Sequence, residues 1–231
     1  MGNARARVAP TACRQTMKRH RILLADDHAI VLEGISKILE PHFDLVGRAE
    51  DGRALLETAQ RLRPDAVVID IGMPLLNGID AARQLAKTVP HTKVVFLTMH
   101  SDPAYVREAF SAGASGYVLK QSAGSELLFA LQEVLNGRYF VTPRVAGEVV
   151  GGFLRGEGGT PDTSRASKLT DRQREVLQLV AEGQSVKEIA ATLDVSVKTV
   201  EFHKRRLMDQ LGVRTTAGLT KYALTHGLIS E

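Results

Sequence analysis

Three short apolar runs, each ending on charged residues, constrain the fold of this chain more than any other feature. Ile22-Leu23-Leu24-Ala25 leads into Asp26-Asp27, Ala66-Val67-Val68-Ile69 into Asp70, and Gly116-Tyr117-Val118-Leu119 into Lys120. Runs this short, separated by stretches of helical period, are the pattern of parallel strands in a βα-alternating fold. In such sheets the C-terminal strand ends share one edge, and ligand sites form there. Three carboxylates and one ammonium, far apart in sequence, are therefore expected to converge. Such a cluster suits a divalent cation and the movement of a phosphoryl group.

The pattern predicts five βα units from Arg21 onward. Strands are expected near 21–25, 43–49, 66–70, 93–98 and 116–119, with helices near 29–39, 53–62, 78–88, 103–112 and 124–136. Asp51-Gly52 and Asn77-Gly78 precede the second and third helices, and Ser101 or Asp102 caps the fourth with Pro103 in its first turn. Val67-Val68-Ile69 and Val94-Val95-Phe96-Leu97 are apolar on both faces, as strands covered by helices on both sides must be.

Charge is unevenly spread over the 231 residues. The net charge of +4 owes much to residues 1–20, which carry five basic and no acidic side chains, whereas residues 21–143 carry 12 basic and 15 acidic. The overall basicity is thus weak evidence for nucleic acid. The single cysteine, Cys13, rules out a disulfide within the chain and suits a reducing compartment. No apolar run approaches the roughly 20 residues that span a bilayer. The basic segment 1–20 lacks the apolar core of a signal peptide, so it is expected to be a disordered tail of a cytoplasmic protein, with Met17 an alternative start.

Residues 21–140 resemble the receiver domain of bacterial response regulators. The resemblance rests on Asp26-Asp27, on Asp70 within Asp70-Ile71-Gly72-Met73-Pro74-Leu75-Leu76-Asn77-Gly78, on Thr98 ending the fourth strand, and on Lys120 after the fifth. It implies a CheY-like, flavodoxin-like fold: a five-stranded, doubly wound parallel sheet. It also implies Mg²⁺ held by Asp27 and Asp70, with Asp26 acting through water and the Gly72 carbonyl adding a ligand. Asp70 would be the phosphoacceptor, served by a sensor histidine kinase. Lys120 would offset phosphoryl charge, Thr98 would donate to a phosphoryl oxygen, and Tyr117 would be a switch aromatic that turns inward once Thr98 moves. Taken singly, each residue has a plainer reading, since an aspartate after a strand commonly caps a helix and a tyrosine such as Tyr117 commonly packs a core. Their joint occurrence in order outweighs those readings. His28 is given no metal role, and His100 is placed near the pocket. The family often has proline after the lysine; Gln121 stands here.

Glycines crowd residues 137–168, with Pro143 and Pro161, so residues 141–167 are expected to hold a connector helix over 145–154 and a flexible linker. Residues 168–231 read as a small all-α domain of four helices containing a helix-turn-helix. Leu169-Thr170-Asp171-Arg172-Gln173-Arg174-Glu175-Val176-Leu177, Lys187-Glu188-Ile189-Ala190 and Ser196-Val197-Lys198-Thr199-Val200-Glu201-Phe202-His203 resemble the LuxR-type DNA-binding domain. Together the two halves resemble the NarL/FixJ family of response regulators. The third helix would enter the major groove. Lys198, Thr199, Glu201, Phe202 and Arg205 are the candidates for base edges, and Lys198, His203, Lys204 and Arg206 for phosphates. The alternative is a solvated charged face. The last helix, with Leu219, Tyr222, Ala223 and Leu224, would pair two DNA-bound copies.

The function implied is a phosphorylation-activated transcriptional regulator that dimerises near Val106, Phe110 and Tyr117, binds double-stranded DNA and acts on RNA polymerase, with no enzymatic turnover beyond hydrolysis of its own phosphoryl group. One rival is an aspartyl phosphohydrolase, which would want an acid two positions after Asp70, where Gly72 stands. Another is a DNA-binding protein whose receiver serves only dimerisation. A small-molecule sensor is disfavoured because the receiver occupies the whole N-terminal part.

Overall fold

The computed structural model describes residues 19–154 and 169–229. The expected disordered tail, with Cys13 and Met17, and the linker over 156–167 lie outside the described residues. Six parallel strands form one sheet in the order β2-β1-β3-β4-β5-β6. They are β1 (Arg21–Ala25), β2 (Asp44–Ala49), β3 (Ala66–Ile69), β4 (Lys93–Thr98), β5 (Gly116–Leu119) and β6 (Phe140–Val141). Five strands were expected. The sixth is only two residues long, and it pairs Phe140 with Gly116 and Val141 with Tyr117. A pair of residues after Gly137 carries no periodicity that a sequence reading could detect.

Helices cover both faces. α1 (Ala29–Leu39) and α5 (Ala123–Leu135) pack Leu32, Ile35, Leu39, Leu127, Leu131 and Val134 on one face. α2 (Gly52–Leu62), α3 (Gly78–Thr88) and α4 (Pro103–Ser111) pack Leu55, Ala81, Leu85 and Val106 on the other. The strand order reverses between β1 and β3, so the crevice at their C-terminal ends is where a doubly wound sheet places its ligand. Asp26 and Asp70 lie at that point.

Local chemistry fixes the loops. The Asp51 carboxylate accepts from the Arg53 and Ala54 N–H groups at 2.8 Å, Asn77 caps α3 through the Asp80 N–H at 2.9 Å, and Asp102 caps α4 through Ala104 at 2.7 Å. Two close approaches demand glycine. A Cβ on Gly78 would lie 2.0 Å from the Asp70 carbonyl oxygen, and one on Gly52 would lie 2.0 Å from that of Leu76.

After β6, α6 (Pro143–Leu154) lays Val145 and Val149 against the α2–α3–α4 core. The helical segment contains α7 (Asp171–Ala181), α8 (Val186–Thr192), α9 (Val197–Leu211) and α10 (Thr216–Thr225) around Val176, Leu177, Ile189, Val200, Leu207 and Leu219. Thr170 with Gln173, and Ser185 with Glu188, form reciprocal capping boxes at the starts of α7 and α8. Among the described residues no helix is long and apolar enough to cross a membrane.

Candidate functional site

The sheet edge brings the sequence-selected residues together. The Lys120 ammonium lies 2.7 Å from Asp26 Oδ2 and 2.8 Å from Asp70 Oδ2, bridging two carboxylates whose side chains are almost wholly buried. Asp70 Oδ1 accepts from the Ile71 N–H at 2.7 Å. Burial opposes the charge on Lys120, but Asp26 and Asp70 outweigh it and hold the ammonium above its ordinary range. Carboxylate oxygens of Asp26, Asp27 and Asp70 and a ring nitrogen of His28 all lie within 4.8 Å of one another. Three carboxylates at that spacing repel unless cations lie among them, and a hard, oxygen-preferring cation fits such a donor set. The half-buried Gly72 lies in the loop that begins at Asp70.

His28, given no metal role in the sequence reading, stands beside the acids. Its Nδ1 lies 2.7 Å from Asp27 Oδ1 and 3.2 Å from Asp26 Oδ1, and its backbone N–H donates to Asp26 Oδ1 at 2.9 Å. Its place directly after two acids was the only signal available.

The β4–α4 loop closes the other side. The fully buried Thr98 accepts the His100 N–H on its hydroxyl at 3.2 Å, and Tyr117 donates its hydroxyl proton to the His100 carbonyl at 2.8 Å. The His100 ring stacks on Tyr105, centroids 4.2 Å apart. Burial holds the His100 imidazolium below its ordinary range, against the pull of Asp70 and Asp102. The Tyr117 ring is already inside, packed near Phe96, so no turn inward is needed to bury it. Its burial strands no donor because His100 takes the hydroxyl, and burial pushes the phenol well above its usual range. Val106 is buried too, so it and Tyr117 offer no exposed patch. Phe110 is half-buried against Tyr139.

The α9 helix starts at the Ser196 cap, whose hydroxyl accepts from the Thr199 N–H at 3.1 Å. Val200, Leu207 and Leu211 face the core, leaving Lys198, Glu201, Phe202, Arg205 and Arg206 exposed and Thr199, His203 and Lys204 half-buried. Phe202 is 58% exposed, a large apolar ring standing on a charged face. On α10, Leu219 and Ala223 are core, whereas Leu224 is exposed and Tyr222 half-buried.

The polar side of α7 was missed. Arg174, Glu175 and Gln178 are buried because α7 docks on the receiver. Arg53 donates to the Thr192 carbonyl at 2.9 Å, Gln84 to Glu175 at 2.9 Å and Lys87 to Asp171 at 2.6 Å. Arg174 lies 3.6 Å from the buried Asp80, which also pairs with Arg83. Polar residues at helical spacing read as a solvated face, and no sequence signal marked these as covered.

The same pair of domains occurs in known proteins. Residues 22–132 match the family described as response regulator receiver domain, and residues 167–223 match bacterial regulatory proteins, luxR family. The transcriptional regulatory protein MctR of Rhizobium johnstonii is 37% identical over 213 residues, spanning 91% of this chain and 96% of that protein. The oxygen regulatory protein NreC of Staphylococcus aureus is 37% identical over 214 residues, spanning 90% of this chain and 99% of its own. Among solved structures, the Salmonella typhimurium RcsB response regulator aligns with a TM-score of 0.59 at 31% identity, covering 91% of this chain and 99% of RcsB. RcsB bound to a promoter in the presence of phosphomimetic BeF3⁻ aligns at 0.58 and 31% identity, covering 90% and 99%. The chain is a two-component response regulator of the NarL/FixJ family, a transcription regulator joining a receiver to a LuxR-type helix-turn-helix domain.

Proposed function

We propose that Asp70 accepts a phosphoryl group from a phosphohistidine on a sensor histidine kinase and that this event favours dimerisation and DNA binding. The observation that carries the reading is the meeting of Asp26, Asp27, Asp70 and Lys120 at the sheet's switch point. A carboxylate oxygen of Asp70 attacks phosphorus, the P–N bond breaks, and the leaving imidazole nitrogen takes up a proton. Asp27 and Asp70 would hold Mg²⁺ directly, Asp26 through water, with the Gly72 carbonyl as a further ligand. Bound there, the cation would neutralise phosphoryl charge. Lys120 would supply the fixed ammonium, so catalysis is mainly positioning and electrostatics. The Thr98 hydroxyl, released from the His100 N–H, would donate to a phosphoryl oxygen, and Tyr117 would follow through the His100 carbonyl. The same pocket would admit the water that hydrolyses the acyl phosphate.

Domain limits of 21–140 for the receiver and 168–231 for the DNA-binding part suit this division of labour, and the site of action is the cytoplasm, on double-stranded DNA alongside RNA polymerase. Lys198, Thr199, Glu201, Phe202 and Arg205 would read bases, while His203, Lys204 and Arg206 would hold phosphates. RcsB, solved as dimers bound to DNA, supports a paired arrangement. The test is incorporation of phosphate from labelled acetyl phosphate with Mg²⁺. Wild type should take up label that hydroxylamine releases, and Asp70→Asn should take up none; equal labelling would refute Asp70 as acceptor.

A further inference from the structure

Lys120 can meet a phosphoryl group on Asp70 only if the backbone that carries it is held in place. Leu119, the last residue of β5, pairs in register with Thr98 on the β4 side. On the other side β6 has already ended, since Tyr117 is the last residue of β5 to pair there, with Val141. The buried Leu119 N–H needs a partner in that gap, because an unpaired buried N–H is costly. Thr142 supplies it. This residue is 1% exposed, and its hydroxyl accepts the Leu119 N–H at 3.1 Å and donates to Glu126 Oε2 at 2.7 Å. Its own N–H donates to the Tyr117 carbonyl at 2.9 Å. The side chain thus adds one rung to the ladder where the strand has no carbonyl to offer. Glu126 stands in the first turn of α5, the helix entered through the 3₁₀ turn Lys120–Ser122. One hydroxyl therefore ties the residue before Lys120 to the helix after it.

We propose that Thr142, oriented by Glu126, is a positioning residue for phosphoryl transfer: it fixes the end of β5 so that the Lys120 ammonium meets the phosphoryl group on Asp70. This inference rests on the function proposed above and adds two residues that touch none of the reacting atoms. A hydroxyl has one proton and two lone pairs. The Glu126 carboxylate takes the proton, which leaves a lone pair for the Leu119 N–H. A plainer reading makes Thr142 the cap of α6. Its carbonyl does accept from the Val145 and Ala146 N–H groups, at 2.9 and 3.0 Å. A capping hydroxyl would bond the first N–H groups of that same helix. This one bonds β5 and α5 instead, on either side of Lys120.

Labelling of the full chain by acetyl phosphate reads the effect. In that reaction an Asp70 oxygen forms a bond to phosphorus while the bond to acetate breaks, and acetate leaves with the electron pair. Charge on the phosphoryl oxygens then depends on an ammonium already in place. Thr142→Val keeps the side chain's shape while removing both of its hydrogen bonds. With Mg²⁺ saturating, its labelling rate should fall about tenfold, less than the roughly hundredfold that a displacement of about 1 Å can cause. Thr142→Ser keeps the hydroxyl and should label close to the wild-type rate. Glu126→Met leaves the hydroxyl without its acceptor and should slow labelling by a smaller factor than Thr142→Val. Mg²⁺ affinity, from calorimetric titration, should fall in none of them, because an ammonium is not a ligand. Unchanged rates in Thr142→Val and Glu126→Met, even with lower melting temperatures, would make the pair merely structural and overturn the proposal. A loss of Mg²⁺ affinity matching the loss of rate would overturn it as well, since the damage would then lie at the carboxylates. So would a Thr142→Ser protein as slow as Thr142→Val. Should Thr142→Val not fold, Glu126→Met and Thr142→Ser decide on the same readings. Wild type that takes up no label sinks the proposed function and this inference together; wild type that labels no faster than Thr142→Val sinks this inference alone.

Discussion

Replacing Lys120 with methionine should expose how the acid cluster is held together. The ammonium lies 2.7 and 2.8 Å from two carboxylates, and the three side chains are 13%, 5% and 9% exposed. Removing one partner of a fully buried ion pair costs about 3–5 kcal/mol, because the remaining charge is left desolvated. The pocket opens to solvent on the Asp27 and His28 side, so roughly 2 kcal/mol is the reasonable expectation here, below that buried-pair limit. In a chain of this size that is a fall of about 4–8 °C in the receiver's melting temperature. The assay is calorimetric melting in chelator and in excess Mg²⁺. A cation among the same carboxylates should restore most of the loss, so Mg²⁺ should raise the variant's melting temperature more than the wild type's. The pH dependence has a definite sign. Lys120 is held above its ordinary value of 10.5, so its stabilising contribution is complete below that pH and is lost as pH rises through the still higher folded value. Lys120→Met should lack that alkaline loss. Equal Mg²⁺ stabilisation of both proteins, with no difference in chelator, would refute Lys120 as the partner of Asp26 and Asp70.

Other outcomes follow from the same structure. Gly78→Ala drives a Cβ to within 2.0 Å of the Asp70 carbonyl oxygen, so either Asp70 or α3 must shift. Labelling of Asp70 should be lost, with a melting temperature lowered by more than a surface change would cause; normal labelling would contradict the packing. Tyr117→Phe removes the hydrogen bond to His100 and should cost about 1 kcal/mol in denaturant titration. Phe202→Ala should change stability by less than about 0.5 kcal/mol yet weaken DNA binding measured by anisotropy, because the ring is exposed and packs on no core. Arg206→Gln should reduce the slope of log affinity against log salt by about one unit and weaken binding evenly across sequences; an unchanged slope would remove Arg206 from the phosphate contacts.

Much of the fold was legible because single residues carry single physical jobs. Apolar runs ending at Asp26, Asp70 and Lys120 mark strands buried on both faces, and the structure places each of them at the same sheet edge. Asp51, Asn77 and Ser196 announce helix starts through the hydrogen bonds they make. What escaped depends on partners distant in sequence. Phe140-Val141 becomes a strand only because β5 has an open edge to offer it. Arg174, Glu175 and Gln178 look like a solvated helix face until the receiver covers them. Tyr117 reads equally well as facing in or out, and the His100 carbonyl decides the matter. His28 lies next to the acids in sequence, but only the turn after β1 aims its ring back at them.

The most direct test of the central claim is DNA affinity and sedimentation of the full chain with and without Mg²⁺ plus fluoroberyllate, in wild type and in Asp70→Asn. Wild type should dimerise and bind DNA more tightly on treatment, while Asp70→Asn should do neither. Strong DNA binding that treatment leaves unchanged in both proteins would contradict the account and make the receiver a dimerisation module alone.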